Sequence, residues 1–104
     1  MKKADQMYIN EYLQGVYSEM NHCIDIFGAT KPERLNSCKA EYFRTGGYIV
    51  LRSYDTIIAC IGEETGTCYD FLRYVYGYTA TSAQHISKFC RKFNATRKLT
   101  YYPI

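Results

Sequence analysis

Apolar side chains recur at steps of three and four residues along the first segment of the chain. They lie at Ile9, Leu13, Val16, Met20, Ile24 and Phe27. Residues at this spacing share one face of an α-helix, which predicts an amphipathic helix that buries this face. Asp5 suits its start, and Gly28 can adopt the left-handed conformation in which many helices end. We therefore predict a helix between Asp5 and Gly28, with Gly15 lowering its intrinsic stability.

The next segment, residues 29–47, has a less regular pattern. Thr30 and Glu33 have the spacing of a capping box, which favours a short helix over residues 32–39. Residues 41–44 are compatible with a short strand. The sequence Thr-Gly-Gly at residues 45–47 then predicts a turn.

The centre of the chain is rich in β-branched and aromatic residues, which favour strands. Residues 48–54 (YIVLRSY) and residues 56–61 (TIIACI) are separated only by Asp55. The loop at residues 62–66 (GEETG) leads to a third run at residues 67–73 (TCYDFLR). We predict three consecutive antiparallel strands.

A second helix is predicted near the C-terminal end. Thr81 and Gln84 have capping-box spacing, and Asn94 is suited to end the helix. The apolar stripe between them consists of Ile86, Phe89, Cys90 and Phe93. Residues 98–102 can then add an edge strand, which Pro103 would stop.

The order of elements predicts an α+β domain. A helix precedes the strand meander and another follows it, which is typical of a two-layer arrangement. Ile57 and Ile58 alternate along one strand, which indicates that both faces of the sheet are at least partly covered. We predict one domain over residues 1–104, with an N-terminal helix, an antiparallel sheet of three to four strands, a C-terminal helix and a short edge strand.

The charge of the chain is unevenly distributed. Its 104 residues carry a formal net charge of +3, with twelve tyrosines and no tryptophan. Residues 71–104 contain no acidic side chain, and their cations are Arg73, Lys88, Arg91, Lys92, Arg97 and Lys98. This basic C-terminal third indicates a contact with nucleic acid or with an acidic protein surface.

The candidate binding residues combine these cations with three tyrosines at alternate positions. They are Arg73, Tyr74, Tyr76, Tyr78, Lys88, Arg91 and Lys92. Cations can neutralise phosphates while tyrosine rings stack on unpaired bases, and tyrosine and arginine also anchor protein interfaces. Lys88, Arg91 and Lys92 have spacings of three and four residues and are expected on one exposed helix face. The alternative interpretation is a solvated helix face beside tyrosines that pack on the sheet.

His85 is the main candidate for catalysis, since Ser82 lies one helical turn before it and Cys90 lies five residues after it. A step of five places His85 and Cys90 on different faces of a helix. A nucleophile also needs a base that a third group orients, and no acidic residue follows Asp70. We therefore expect that the protein is not an enzyme and that His85 lies in the first turns of a helix.

No metal or cofactor site is expected. His22 and Cys23 are adjacent, which points their side chains about 100° apart on a helix. The cysteines lack the short spacing of zinc ligands, and they are Cys23, Cys38, Cys60, Cys68 and Cys90. Buried thiols in a reducing compartment are expected instead. Glu63 and Glu64 are expected in a solvated loop.

The chain lacks the run of about 20 apolar residues that would span a membrane. Its N-terminus, MKKADQMYINEYL, lacks the apolar core of a secretory signal. We therefore expect a cytoplasmic protein without a membrane partner.

Two segments resemble a pattern in small proteins encoded by phages, plasmids and other mobile elements of Firmicutes and gut bacteria. Residues 53–59 (SYDTIIA) match S-Y-x-T-x-x-A, and residues 78–89 (YTATSAQHISKF) match Y-x-x-T-S-x-x-H-I-x-K-F. The similarity spans roughly residues 48–93. The chain departs from the pattern in its segment DFLRYVYGY and in its cysteines. Some proteins of this kind are anti-CRISPR proteins, which bind and disable a host nuclease.

The resemblance implies a non-enzymatic inhibitor that acts by stoichiometric binding in an infected or element-carrying bacterial cell. Its partner would be a host CRISPR effector nuclease or the guide RNA complex of that nuclease. The surface of tyrosines, arginines and lysines would then occlude nucleic-acid engagement. The alternative hypothesis is a small regulator that binds nucleic acid directly through the same surface.

Overall fold

The computed structural model describes residues 2–35 and 39–104, and it begins with the predicted long helix. Helix α1 spans Lys3–Phe27 and ends at Gly28, whose φ of 72° lies in the left-handed region. The predicted stripe is fully or almost fully buried at Leu13, Val16 and Met20. Phe27 is an exception, because the last turn of the helix leaves 71% of its surface exposed.

A six-stranded sheet forms the centre of the fold. The strands are β1 (Glu33–Arg34), β2 (Ala40–Thr45), β3 (Tyr48–Ser53), β4 (Thr56–Gly62), β5 (Thr67–Asp70) and β6 (Arg97–Thr100). Helices α2 (Leu72–Val75) and α3 (Ala80–Lys92) connect β5 to β6. The strands follow one another in chain order, and all neighbours pair antiparallel except β5 and β6, which are parallel. The α+β class is confirmed, but the sheet exceeds three to four strands because β1 and β6 extend its two edges.

Strand β1 replaces part of the helix predicted over residues 32–39. Thr30 does not cap a helix, since its Oγ1 accepts a hydrogen bond from the backbone N of Arg44 at 2.8 Å. Glu33 and Arg34 instead pair with β2, which supplies the backbone partners that a helix would have supplied internally. The prediction is therefore wrong for these residues, and residues 36–38 lie outside the described part of the chain.

The strand predicted to reach Arg73 ends at Asp70. One carboxylate oxygen of Asp70 accepts a hydrogen bond from the backbone N of Leu72 at 3.0 Å, which favours the helical turn α2. Nζ of Lys98 in β6 lies 3.6 Å from the other carboxylate oxygen. Asp70 therefore ends β5 and also contacts the strand that pairs with it.

Helix α3 starts earlier than predicted, because Thr79 rather than Thr81 is its N-cap. Oγ1 of Thr79 accepts a hydrogen bond from the backbone N of Ser82 at 3.2 Å. Thr81 lies exposed in the first turn. Asn94, with a φ of 52°, follows the end of the helix in a conformation that asparagine tolerates.

The sheet lies between α1 and α3, which makes three layers rather than the predicted two. One core cluster joins α3 to the sheet and includes Ile49, Leu51, Ile58, Ile86 and Phe89. The other joins α1 to the opposite face and includes Leu13, Val16, Met20, Phe43, Val50, Cys60 and Phe71. The prediction that Ile57 and Ile58 face opposite sides is confirmed, since they pack in different clusters. The two-layer prediction is wrong because both faces of the strands are apolar, so each face needs a helix.

The turn between β3 and β4 has an uncommon backbone conformation. Tyr54 and Asp55 have φ angles of 50° and 72°, and Ser53 pairs with Thr56 across the turn. Two positive φ values in a two-residue hairpin turn define type I′, which asparagine and glycine favour. A tyrosine in this conformation is strained, and such strain persists only where the surrounding structure holds it.

Candidate functional site

Arg73 is held between two tyrosine rings. Its guanidinium carbon lies 4.6 Å from the ring centroid of Tyr78 and 4.6 Å from that of Tyr102. A cation at this distance is attracted to the electron-rich face of an aromatic ring. Tyr78 is 58% exposed and Tyr102 is 47% exposed. The arrangement therefore presents an ordered arginine and two aromatic rings to solvent.

Tyr74, which follows Arg73 in α2, makes two further ring contacts. Its ring centroid lies 5.0 Å from that of Tyr101 and 5.6 Å from that of Tyr17 in α1. Tyr17 in turn contacts the buried Phe71 in an edge-on geometry. We name this surface the aromatic–arginine patch, and its members are Arg73, Tyr74, Tyr78, Tyr101 and Tyr102.

Side chains of α1 fix the tail that supplies Tyr101 and Tyr102. Nδ2 of Asn10 donates to the backbone O of Tyr102 at 2.7 Å, and the backbone N of Tyr102 donates to Oδ1 of Asn10 at 3.2 Å. Nε2 of Gln6 donates to Oδ1 of Asn10 at 2.7 Å and to the backbone O of Thr100 at 3.0 Å. The amide of Asn10 therefore satisfies both backbone groups of Tyr102, as a neighbouring strand would. No local pattern in the sequence indicated this role of Asn10, because the two residues lie 92 positions apart.

Tyr76 does not join the patch, although it lies between Tyr74 and Tyr78 in the sequence. Its ring is 68% exposed and lines a groove of about 360 Å³. We name this cavity the hydroxyl groove, and its other lining residues include Ser53, Tyr54, Thr56, Ile58, Thr79 and Ser82. Alternate residues share one face only in a strand, and the chain leaves strand geometry at Asp70.

His85 forms a buried hydrogen bond with one residue of the hydroxyl groove. Its Nδ1 lies 2.9 Å from Oγ of Ser53, and the residue is only 4% exposed. Burial, with a smaller effect of the nearby Lys88, lowers the pKa of His85 and favours its neutral ring. Segments 53–59 and 78–89, which carry the resemblance described above, therefore meet at this bond. Sequence spacing suggested Ser82 as the partner, and it missed Ser53 because that residue lies 32 positions away.

The buried His85 predicts a loss of stability in mild acid. The unfolded histidine takes up a proton near pH 6.5, whereas the folded ring resists protonation until a lower pH. This contribution to stability is therefore fully present above about pH 6.5 and is lost as the pH falls toward the lowered pKa. Urea unfolding at about pH 7.5, 6.5 and 5.5 should show a smaller decrease for His85→Gln than for the wild type. His22→Gln, on an exposed position of α1, is the matched control, and equal decreases in wild type and His85→Gln would contradict the prediction.

The cations of α3 lie apart from the aromatic–arginine patch in the described part of the chain. Lys88, Arg91 and Lys92 belong to α3, whereas Tyr74 contacts α1 on the opposite face of the sheet. Nζ of Lys92 lies 5.8 Å from the ring centroid of Tyr42, so this ammonium group already makes a cation–π contact within the protein. The residues predicted as one surface are therefore divided among the patch, the hydroxyl groove and the exposed face of α3.

Four of the five cysteines lie within the described residues as free thiols, and Cys38 lies outside them. The buried ones are Cys23, Cys60 and Cys68. Cys90 is only partly buried, and its pKa is lowered because the Cys68 thiol donates a hydrogen bond to it and Lys98 lies nearby. The same contact and burial raise the pKa of Cys68. Cys90 is therefore the more acidic thiol of this pair.

The described histidine, cysteine and acidic side chains do not form a metal site. Among the described residues, no three potential ligands from histidine, cysteine, aspartate and glutamate come together as a metal group. His22 is exposed and Cys23 is buried. In the loop after β4, Oε2 of Glu63 lies 3.1 Å from Nη1 of Arg44 at an exposed position, where an ion pair contributes little. No helix in residues 2–35 or 39–104 has the length and hydropathy needed to cross a membrane.

Comparison with known proteins gives one family and no function. Residues 27–102 match a family described as "Family of unknown function (DUF8033)". No curated protein and no solved structure matches the chain. The matched range begins at the last residue of α1 and includes the whole sheet, α2, α3, the aromatic–arginine patch and the hydroxyl groove. Since the match covers well over half of the sequence, the chain belongs to the DUF8033 family of unknown function.

Proposed function

We propose that this protein is a non-enzymatic inhibitor that acts by stoichiometric binding, and that its target is a host CRISPR effector nuclease or the guide RNA complex of that nuclease. The observation that carries the binding role is the position of Arg73 between the rings of Tyr78 and Tyr102. The resemblance of residues 53–59 and 78–89 to mobile-element proteins supports this class of target. The site of action is the cytoplasm of an infected or element-carrying bacterial cell.

The aromatic–arginine patch has the properties of an interface anchor. Tyrosine and arginine dominate the energetically important positions of protein interfaces. Because the ring contacts already hold Arg73, binding would cost less side-chain entropy than binding through a free arginine. The guanidinium edge can still donate hydrogen bonds to a carboxylate or carbonyl of the partner. Docking of this patch on the nuclease would block the path of its nucleic acid.

A second candidate is a small regulator that binds nucleic acid directly. The face of α3 that carries Lys88 and Arg91 favours it, because Arg91 is exposed, Lys88 is half-buried, and neither makes an ion pair within the described residues. Phosphate binding through this face would weaken steeply as the salt concentration rises. Docking through the aromatic–arginine patch would depend less on salt, since the patch contains one cation and four rings.

The first candidate predicts that the double variant Arg73→Ala/Tyr78→Ala loses inhibition. Guide-loaded effectors from a panel of CRISPR types are titrated with the protein while DNA cleavage is measured. Wild-type inhibition should saturate near one inhibitor per effector, because a binding protein does not turn over. The double variant should bind at least about 100-fold more weakly, as expected when two interface anchors are lost.

The matched control for this test is Lys88→Ala/Arg91→Ala, which removes two cations from α3. Full inhibition by this control together with loss in the patch variant supports docking through the patch. Loss of inhibition in Lys88→Ala/Arg91→Ala and full inhibition by the patch variant, together with a steep salt dependence, supports the nucleic-acid regulator. Complete inhibition at far less than one inhibitor molecule per effector would contradict stoichiometric binding. If none of the effectors in the panel is inhibited, this target class is contradicted.

A further inference from the structure

The hydroxyl groove has a size and lining that suit a small ligand. Its volume of about 360 Å³ lies within the range of ligand pockets in proteins. Of the described residues that line it, none carries a charge, and Ile58 provides an apolar surface. A ligand group that enters the groove should therefore be neutral, with an apolar face and a polar edge.

Ser82 has a hydroxyl without a partner inside this groove. The residue is only 7% exposed, lines the groove and makes no side-chain hydrogen bond within the described part of the chain. Its backbone N is satisfied by Thr79, which leaves the hydroxyl available. No buried side-chain nitrogen or oxygen of the described residues lacks a hydrogen-bond partner, so the Ser82 hydroxyl is reached by solvent in the groove and is free to bond a ligand there. The hydroxyls of Thr56 and Thr81 also line the groove, and each hydroxyl can both donate and accept a hydrogen bond.

Two tyrosine rings provide the flat surfaces of the groove. Tyr54 and Tyr76 both line it, and both remain largely exposed. The backbone of Tyr54 is held in its left-handed conformation, and the preceding Ser53 is bonded to His85 in α3. This bond ties the β3–β4 turn to α3, and the ring centroid of Tyr54 lies 6.1 Å from that of His85. Strain that the fold maintains beside a cavity is typical of binding sites.

We propose that the hydroxyl groove binds a nucleobase. A base is neutral and planar, and its edge carries both donors and acceptors, which hydroxyl groups can match. Its face would stack on Tyr54 or Tyr76, in the way that aromatic side chains hold unpaired bases. The base can come from a free nucleoside or nucleotide or from an unpaired position of a nucleic-acid strand. This site shares no residue with the aromatic–arginine patch and does not depend on the function proposed above.

The experiment uses 2-aminopurine riboside, whose fluorescence falls when the base stacks on an aromatic ring. The protein contains no tryptophan, so the probe can be excited selectively. A second probe is a single-stranded RNA of about eight nucleotides with one internal 2-aminopurine. Adenosine and tyrosine amide are the competitors. Tighter binding of the riboside identifies a free nucleoside or nucleotide as the source, and tighter binding of the RNA identifies a strand.

The variants are chosen to preserve the fold. Tyr54→Asn removes one ring and places a residue that tolerates positive φ at the strained position. Tyr76→Ala removes the other, exposed ring. Each change should weaken binding of the preferred probe by about tenfold or more. Tyr8→Ala removes a ring that is 74% exposed on α1 and should leave binding unchanged.

Three results would overturn the nucleobase site. The first is the absence of binding by either probe up to about 1 mM. The second is unchanged binding by a folded Tyr54→Asn/Tyr76→Ala double variant. The third is displacement of the probe by tyrosine amide as effectively as by adenosine, which would identify the occupant as an aromatic side chain of a protein partner.

Discussion

Replacing Asn10 with alanine is expected to lower the free energy of unfolding by about 1–3 kcal/mol, because the backbone N and O of Tyr102 both lose their partner. Gln6 also loses its contact with Asn10 and keeps its bond to the backbone O of Thr100. Urea unfolding measures the stability, and hydrogen exchange at Tyr101 and Tyr102 measures the release of the tail.

The same Asn10→Ala change should also weaken partner binding. Without the fixed tail, Tyr102 no longer holds one side of Arg73. Asn21→Ala is the matched control, because Asn21 lies on the same helix and its side chain, within residues 2–35 and 39–104, bonds only to the backbone O of Tyr17 one turn away. A loss of stability in Asn21→Ala equal to that in Asn10→Ala would show that Asn10 acts on the helix and not on the tail.

Replacing Phe89 with alanine is expected to cost about 3–5 kcal/mol of folding free energy, because truncating a fully buried phenylalanine leaves a cavity in the core. Phe89 has no exposed surface and packs edge-on with Phe93, 5.4 Å between ring centroids. It also lies in the core cluster that joins α3 to the sheet. Since a domain of this size is stable by about 5–15 kcal/mol, the change removes a large part of that margin. Thermal and urea unfolding measure the loss.

Phe27→Ala is the matched control for Phe89→Ala, because it removes the same atoms from a side chain that is mostly exposed. It should change the stability by no more than about 0.5 kcal/mol. A small effect of Phe89→Ala would contradict the assignment of α3 to the core and would indicate that the sheet is stable without its second helix.

The regular parts of the fold could be predicted from the sequence because their signals are local. The stripe of α1 and the β-branched runs of β3 and β4 follow directly from side-chain periodicity. The strand at β1 could not be predicted in this way, because its formation depends on the backbone edge of β2 rather than on its own residues. The cap at Thr79 was missed because Thr79 and Thr81 both precede the apolar stripe, and the choice between them depends on the path of the chain after α2.

The candidate sites were predictable in composition but not in arrangement. The sequence predicted Arg73, Tyr74 and Tyr78 as contact residues, and the structure brings Arg73 and Tyr78 together with Tyr102. The sequence could not show that Tyr76 lies apart from Tyr74 and Tyr78, because its position depends on the helical turn after Asp70. The partner of His85 was equally hidden, because two distant segments must meet before Ser53 reaches the ring. Whether any of these residues binds a partner stays a prediction.

The hydrogen bonds of Asn10 and Gln6 to the tail also determine when the patch can form. The first five strands are consecutive, so their pairings close short stretches of chain, whereas the bonds from α1 to the tail join residues 92 and 94 positions apart. Contacts between such distant positions form slowly because of the entropy of closing a long loop. We therefore expect the ring of Tyr102 to reach Arg73 among the last events of folding. A partner that needs both residues would then distinguish mature molecules from folding intermediates, and the interaction would act as a check on completed folding.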